Sequence, residues 1–270
     1  GETLWQYSKH IPFSNAPSIE GGALFCNSVS GYSFSLSLAT GQELWVRKHT
    51  DRVGGDTAYV EVHDGVVVHG AKGSASGGNT AVVGLNATNG DLLWEYSKTS
   101  FPVWNVMAMF PGDDTVVFMD FAGGVYRLGL HNGTLLWRFN NLLSLPSFSD
   151  GGLILGPDGD VYTCSNPGGT AGSEGKGGVL RKIALADGRK LWERQLPFPC
   201  NSWPAVSANG ASVVVVPGSF NGNAPTLDAS SVNNRSLSNE HNLTDFHEHM
   251  MQLGTSQRKS AGLPELRASI

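Results

Sequence analysis

Charge is scarce in this 270-residue chain: Asp, Glu, Lys and Arg make up 15% of it, against about 25% in an average soluble domain. Helical domains need charged outer faces, so the shortage argues against a helix-rich fold. The formal net charge of -5 comes with no basic cluster, which removes the electrostatic footprint of a nucleic-acid binder. Long apolar runs are also missing. Runs such as Val213 to Val216 are strand-sized and far short of the roughly 18 residues of a membrane-spanning helix. Cysteine is sparse: Cys26, Cys164 and Cys200, with no Cys-x-x-Cys spacing. Three cysteines allow at most one internal disulfide beside one free thiol, and they argue against metal or redox use. Which pair would join stays open. Neither Gly-x-Ser-x-Gly nor His-Glu-x-x-His is present, so two familiar hydrolase chemistries have no motif to rest on.

Glycine is abundant, at 35 residues, and with few charged faces it points to an all-β chain rich in turns. The pattern Gly-x-x-Leu-Trp recurs at Gly1-Leu4-Trp5, Gly41-Leu44-Trp45, Gly90-Leu93-Trp94, Gly133-Leu136-Trp137 and Gly188-Leu191-Trp192. Its tryptophans are 40, 49, 43 and 55 residues apart (5 to 45, 45 to 94, 94 to 137, 137 to 192). A period of that length marks stacked supersecondary units. Ahead of the last four tryptophans stand Leu36, Leu85, Leu128 and Ile183, then the pairs Thr40-Gly41, Asn89-Gly90, Asn132-Gly133 and Asp187-Gly188. Asn-Gly and Asp-Gly between apolar runs predict two-residue hairpin turns. Upstream lie Ala23 to Cys26, Val66 to Val68, Val116 to Met119, Val161 to Cys164 and Val213 to Val216. Weaker runs precede them near Ser18-Ile19, Tyr59-Val60, Val106-Met107, Phe148 and Ala205-Val206. Each unit reads as an up-and-down sheet of four strands, and radial repetition of such sheets is a β-propeller.

The run from Leu85 to Trp94, Leu-Asn-Ala-Thr-Asn-Gly-Asp-Leu-Leu-Trp, resembles the tryptophan-docking motif of the quinoprotein alcohol dehydrogenase-like propellers with PQQ-like repeats. The resemblance covers about residues 1–231. It implies that the motif tryptophans pack between neighbouring blades rather than bind a cofactor. It also implies a periplasmic, secreted or luminal setting.

The fifth copy decays. After Leu227 to Ser231, Val232 replaces glycine, and Arg235-Ser236 stand in place of Leu-Trp. Residues 232–270 read as a non-repeat tail, largely disordered, with a short helix over 243–253. His247 and His249, two apart, would point in different directions on that helix and are read as solvated; no metal site is expected. Four to five blades are therefore expected, as part of a larger ring. The competing arrangement closes a five-bladed ring by pairing Thr3–Tyr7 with Pro225–Asp228.

In an up-and-down blade, the turns after strands one and three share one face, and those after strands two and four share the other. The chain elaborates its second-to-third loops, at Lys72 to Asn79 and Ser165 to Gly178. Long loops on a rigid scaffold are binding elements or tolerated insertions. The same face receives the start of each innermost strand. Counting from the motif tryptophans places Asn15, Asp56, Trp104 and Trp203 there, with Asn105, Asn201 and Ser202 adjacent. Asp56, Trp104, Asn105, Asn201 and Trp203 are the candidate ligand-binding residues: two aromatic walls with convergent polar groups. The plainer reading packs both tryptophans beneath the inner strands.

Two functions follow from the resemblance. One is a non-catalytic platform that binds a protein or small ligand on the loop-rich face, as outer-membrane assembly propellers do. The alternative is part of a dehydrogenase that oxidises an alcohol or sugar with PQQ and calcium. Against the second, the chain lacks the adjacent cysteine pair of the family's alcohol dehydrogenases and a recognisable Glu/Asn/Asp calcium set. Isolated aspartates such as Asp56 and Asp120 are usually turn residues. Asn86, Asn132, Asn234 and Asn242 each head an Asn-x-Ser/Thr triplet, which matters only in a secretory pathway.

Overall fold

The computed structural model describes residues 1–9, 17–54, 59–74, 77–104, 108–140, 151–166, 177–200 and 202–215. The chain divides into a body, Gly1–Ala224, and a second unit, Pro225–Ile270. The second unit lies outside the described residues, and with it the expected tail helix and the pairing partner of Thr3–Tyr7.

The body is all-β. A first sheet holds β1 (Ser18–Glu20), β2 (Ala23–Asn27), β3 (Tyr32–Ser37) and β4 (Glu43–Lys48). A second holds β5 (Val60–His63), β6 (Val66–Gly73), β7 (Asn79–Asn86) and β8 (Leu92–Tyr96). The third has β9 (Thr115–Met119), β10 (Val125–Gly129) and β11 (Leu135–Phe139), with a single bridge from Met109 to Val117 where a first strand would lie. The fourth holds β12 (Leu153–Leu155), β13 (Val161–Ser165), β14 (Val179–Ile183) and β15 (Lys190–Gln195). A two-stranded fifth has β16 (Ala205–Val206) and β17 (Val213–Val214). Every pairing is between sequence neighbours and antiparallel, so the four-stranded blade is as expected. Among the described residues the blades do not close into a ring.

Two expectations need correction. The innermost strand of the fourth blade is Leu153–Leu155, with Leu153 opposite Thr163. Phe148 lies outside the described residues. The strand starts 16 residues beyond Trp137 (137 to 153), against 15 from Trp45 to β5 (45 to 60). The hairpin turns are also not two-residue turns. Such turns of the Asn-Gly type require positive φ at both central residues, yet Thr40, Asn89, Asn132 and Asp187 all have negative φ. Instead, the Ser37 N–H donates to the Gln42 carbonyl and the Gly41 N–H to the Ser37 carbonyl, both at 2.8 Å. The loop is thus four residues long, closed by glycine alone in the left-handed region at φ +70. The same bond pair recurs at Asn86–Asp91, Gly129–Thr134 and Ala184–Arg189.

That glycine is also where the neighbouring blade docks. Trp5, Trp45, Trp94 and Trp137 lie flat on Gly41, Gly90, Gly133 and Gly188, and an added Cβ at those positions would stand 2.5 to 2.8 Å from the ring. Each indole Nε1–H donates to the carbonyl three residues before its glycine: Leu38 at 2.8 Å, Ala87 at 2.8 Å, Leu130 at 2.6 Å and Leu185 at 2.7 Å. One residue therefore serves twice, since only glycine combines positive φ with room for the indole. The body's cores lie between sheets. Trp94, Val66, Val68 and Val82 pack against Phe118, Tyr126, Leu128 and Leu130. Phe25 and Trp45 pack against Val67, Val83 and Leu85, and Val117 and Val125 against Leu153, Val161 and Ile183. A blade buries its faces only against its neighbours.

Cys164 and Cys200 form the disulfide. Cys26 is the free thiol, and burial pushes its pKa up to about 12. Among the described residues no helix is long and apolar enough to cross a membrane.

Candidate functional site: the loop-rich face

Strand β6 runs through Gly73 and β7 begins at Asn79, so the loop expected over Lys72 to Asn79 shrinks to Ser74–Gly78. It is knitted by a Ser74 N–H bond to the Gly78 carbonyl, 3.0 Å, and by the Ser74 hydroxyl on the Gly77 carbonyl. The incoming chain of the third blade lies against it. Asn79 and Val103 exchange backbone bonds of 2.7 and 2.8 Å. The Asn79 carboxamide, fully buried, accepts the Gly54 N–H at 2.9 Å. Asn79 therefore fixes the approaches to two successive inner strands at once.

Trp104 is partly buried and sits on Gly77, where any Cβ would overlap its ring. Trp203, also partly buried, sits on Gly152 at the start of the fourth blade in the same way. Both thus stand against glycines on this face, one per crossover. Ser202 is partly buried beside Trp203. Asp56, Asn105, Asn201 and Asn15 lie outside the described residues, and so does most of the Ser165–Gly178 loop. What remains of that loop is tied to the crossover. The Asn166 Oδ1 accepts the Cys200 N–H at 2.6 Å, and Gly178 exchanges bonds with Leu196 and Phe198.

Sequence reasoning passed over the neighbours of Trp104. Phe101 and Phe121 lie 5.5 Å apart. Both are partly exposed, as is Pro102, whose carbonyl accepts the Phe121 N–H at 3.0 Å. Phe121 tops the β9–β10 turn that Asp120 organises. The Asp120 carboxylate is 1% exposed and accepts the N–H groups of Ala122 (3.0 Å), Gly124 (2.8 Å) and Phe101 and the Tyr126 hydroxyl (2.8 Å). The signal was a Phe-Pro pair thirteen residues before β9 (102 to 115) and an Asp-Phe-Ala-Gly-Gly turn. Nothing in their spacing shows that the two meet.

Burial raises the pKa of Asp120 to about 6 despite its donors. His69 shows the opposite shift. Its Nδ1–H donates to the Gly70 carbonyl at 2.7 Å and Nε2 accepts from Ser33 Oγ at 2.8 Å across the blade contact; burial lowers its pKa to about 4. Below its ordinary pKa of 6.5 the unfolded chain binds a proton that the native His69 refuses, so this group loses stability as pH falls through 4. Asp120 holds a proton that the unfolded chain has released, so it gains stability as pH falls from 6 to 3.8. Each amounts to about 3 kcal/mol, and the two oppose each other. A His69→Gln variant is therefore expected to have its stability deficit relative to wild type shrink by about 3 kcal/mol between pH 7 and pH 4. For Asp120→Asn the deficit widens over the same range. Urea melts at both pH values measure this, and a deficit independent of pH in either variant would refute the assignment.

Among the described residues, no cluster of carboxylates on this face is left free to hold a cation. Asp120 spends its oxygens on the turn. Among the described residues, the one group of possible metal ligands is Asp64, Asp114 and His131, all exposed and on the opposite face. There His131 Nε2 and Asp64 Oδ2 share a hydrogen bond of 3.2 Å between blades.

A family model described as outer membrane protein assembly factor BamB matches residues 1–146. No curated protein matches the chain significantly. Among solved structures, BamB from Moraxella catarrhalis superposes with a TM-score of 0.59 at 18% identity, over 75% of this chain and 58% of that one. The quinohemoprotein alcohol dehydrogenase from Comamonas testosteroni gives 0.53 at 14% identity, over 80% of this chain and 41% of that one. The chain thus spans 58% and 41% of the lengths of these two structures, and at such identities the likeness is one of fold. With more than half of its residues matched by the family model, the chain belongs to the PQQ-like repeat β-propellers of the outer membrane protein assembly factor BamB family.

Proposed function

We propose that the protein is a non-catalytic platform that binds another protein through the loop-rich face, centred on Phe101, Pro102, Trp104 and Phe121. The observation that carries this reading is that four partly exposed apolar side chains stand together on backbone held by Asn79 and Asp120. Rigid aromatic groups of this kind lose little entropy on binding and dominate the energetics of protein interfaces. The family description supports the reading, since BamB is an assembly factor. Trp203 with Asp56, Asn105 and Asn201 extends the same surface in this proposal.

The test places a photo-crosslinking amino acid at Trp104, at Phe121 and, for comparison, at Leu44 on the outer strand. Crosslinks to one defined protein partner are expected from the first two positions and not from the third. Equal crosslinking from Leu44 would sink the proposal. Alcohol- or sugar-dependent dye reduction after addition of PQQ and calcium would replace it with the dehydrogenase reading.

A further inference from the structure

We propose that Asn132 is an acceptor for an N-linked oligosaccharide. The triplet Asn132-Gly133-Thr134 lies in the β10–β11 turn, with Asn132 and Thr134 both exposed. The Asn132 Oδ1 accepts the Thr134 N–H at 2.9 Å. This folds the amide back on the turn and leaves Nδ2 without a hydrogen-bond partner among the described residues. Turn chemistry alone explains an Asn before the glycine, because Thr40, Asn89 and Asp187 fill the same place. It does not explain the threonine two residues on. The equivalent places hold Gln42, Asp91 and Arg189, so the turn makes no demand for a hydroxyl there.

The second support is independent of the turn. The Cys164–Cys200 disulfide forms and persists in oxidising compartments, the bacterial periplasm and the lumen of the secretory pathway among them, and the proposal places the chain in the lumen, where the lipid-linked oligosaccharide donor is also found. In the transfer, the bond from the sugar's anomeric carbon to the lipid pyrophosphate breaks and the bond to Asn132 Nδ2 forms. The amide loses one proton and the lipid pyrophosphate departs. Asn86-Ala87-Thr88 provides an internal contrast. Asn86 is half-buried, and the Ala87 carbonyl is taken by the Trp45 indole at 2.8 Å, so a glycan there would press on a blade contact. Asn132 follows a third strand and therefore lies on the face opposite Trp104, which a glycan would leave clear.

The full chain is expressed behind a signal peptide in cultured eukaryotic cells, and both the secreted and the retained fractions are treated with an Asn-glycan amidase in heavy-oxygen water. Position 132 is expected to carry isotope-labelled aspartate at higher occupancy than position 86. Asn132→Gln and Thr134→Ala should each lower the mass by one glycan, while Thr134→Ser keeps it. An unlabelled Asn132 in both fractions, with the disulfide formed, overturns the proposal. Per-site labelling separates this result from any glycan at Asn234 or Asn242.

Discussion

Replacing Trp94 by alanine is expected to destabilise the body by about 4 kcal/mol, the upper range for loss of a large buried aromatic. Trp94 is 6% exposed and fills the seam between the second and third blades among Val66, Val68, Val82, Phe118, Tyr126, Leu128 and Leu130. Its removal deletes ring contacts from both sides of that seam. It also leaves the Leu130 carbonyl without the indole N–H that sits 2.6 Å away. Phenylalanine at the same place keeps most of the ring and loses that bond, for a cost of about 1–2 kcal/mol. The glycine beneath is held as tightly. Gly133→Ala combines a φ of +65 with a Cβ 2.8 Å from the indole, and the conformation alone costs about 1–2 kcal/mol. Leu93, next to Trp94 in the motif, is 42% exposed, so Leu93→Ala should change stability by less than about 0.5 kcal/mol. Urea denaturation followed by circular dichroism ranks the four variants. If Leu93→Ala cost as much as Trp94→Ala, the docking account of the motif would fail.

Opening the Cys164–Cys200 disulfide is expected to cost a similar amount. The cysteines are 36 residues apart, and closing a loop of that size removes about 4 kcal/mol of unfolded-state entropy. Both residues are fully buried. The bond pins the crossover from the fourth to the fifth sheet onto β13, where Gly178 closes on the Cys200 sulfur and Asn166 holds the Cys200 backbone. A Cys164→Ala/Cys200→Ala variant should melt earlier, and faster hydrogen exchange should concentrate at residues 196–206 and in β12. Uniformly faster exchange throughout the body would contradict a local clamp. Cys26 does not confuse the comparison, because burial keeps its thiol protonated at neutral pH.

How much of this was legible in sequence differs from element to element. The blade unit was, because β2 is a short apolar run, β3 alternates apolar and polar residues, and the turn glycine and docking tryptophan lie within one short motif. The innermost strands were harder. β12 and β16 are three and two residues long, too short for a period to show. The third blade offers only the Met109–Val117 bridge among its described residues. The turn type was missed because Asn-Gly suits both a two-residue and a four-residue loop, and only the backbone angles separate them. Trp104 and Trp203 were singled out because the docking motif does not use them. Asp56, Asn105 and Asn201, named beside them, lie outside the described residues. Phe121 was not found, since its contact with Phe101 joins a turn to a crossover.

The sequence by itself determined the repeat and the four-stranded blade, while the role of the motif tryptophans was what the family resemblance implied. The first two rest on local periodicity and on glycine's tolerance of positive φ, which are properties of short stretches of chain. Only the tertiary structure decided which two of the three cysteines pair, that His69 and Asp120 are buried with opposed pKa shifts, and that Phe101, Phe121 and Trp104 share a surface. Those features depend on which segments meet across blades. Spacing along the chain carries no record of that, because blades joined by crossovers of unequal length are placed in register by packing and hydrogen bonds between segments distant in sequence.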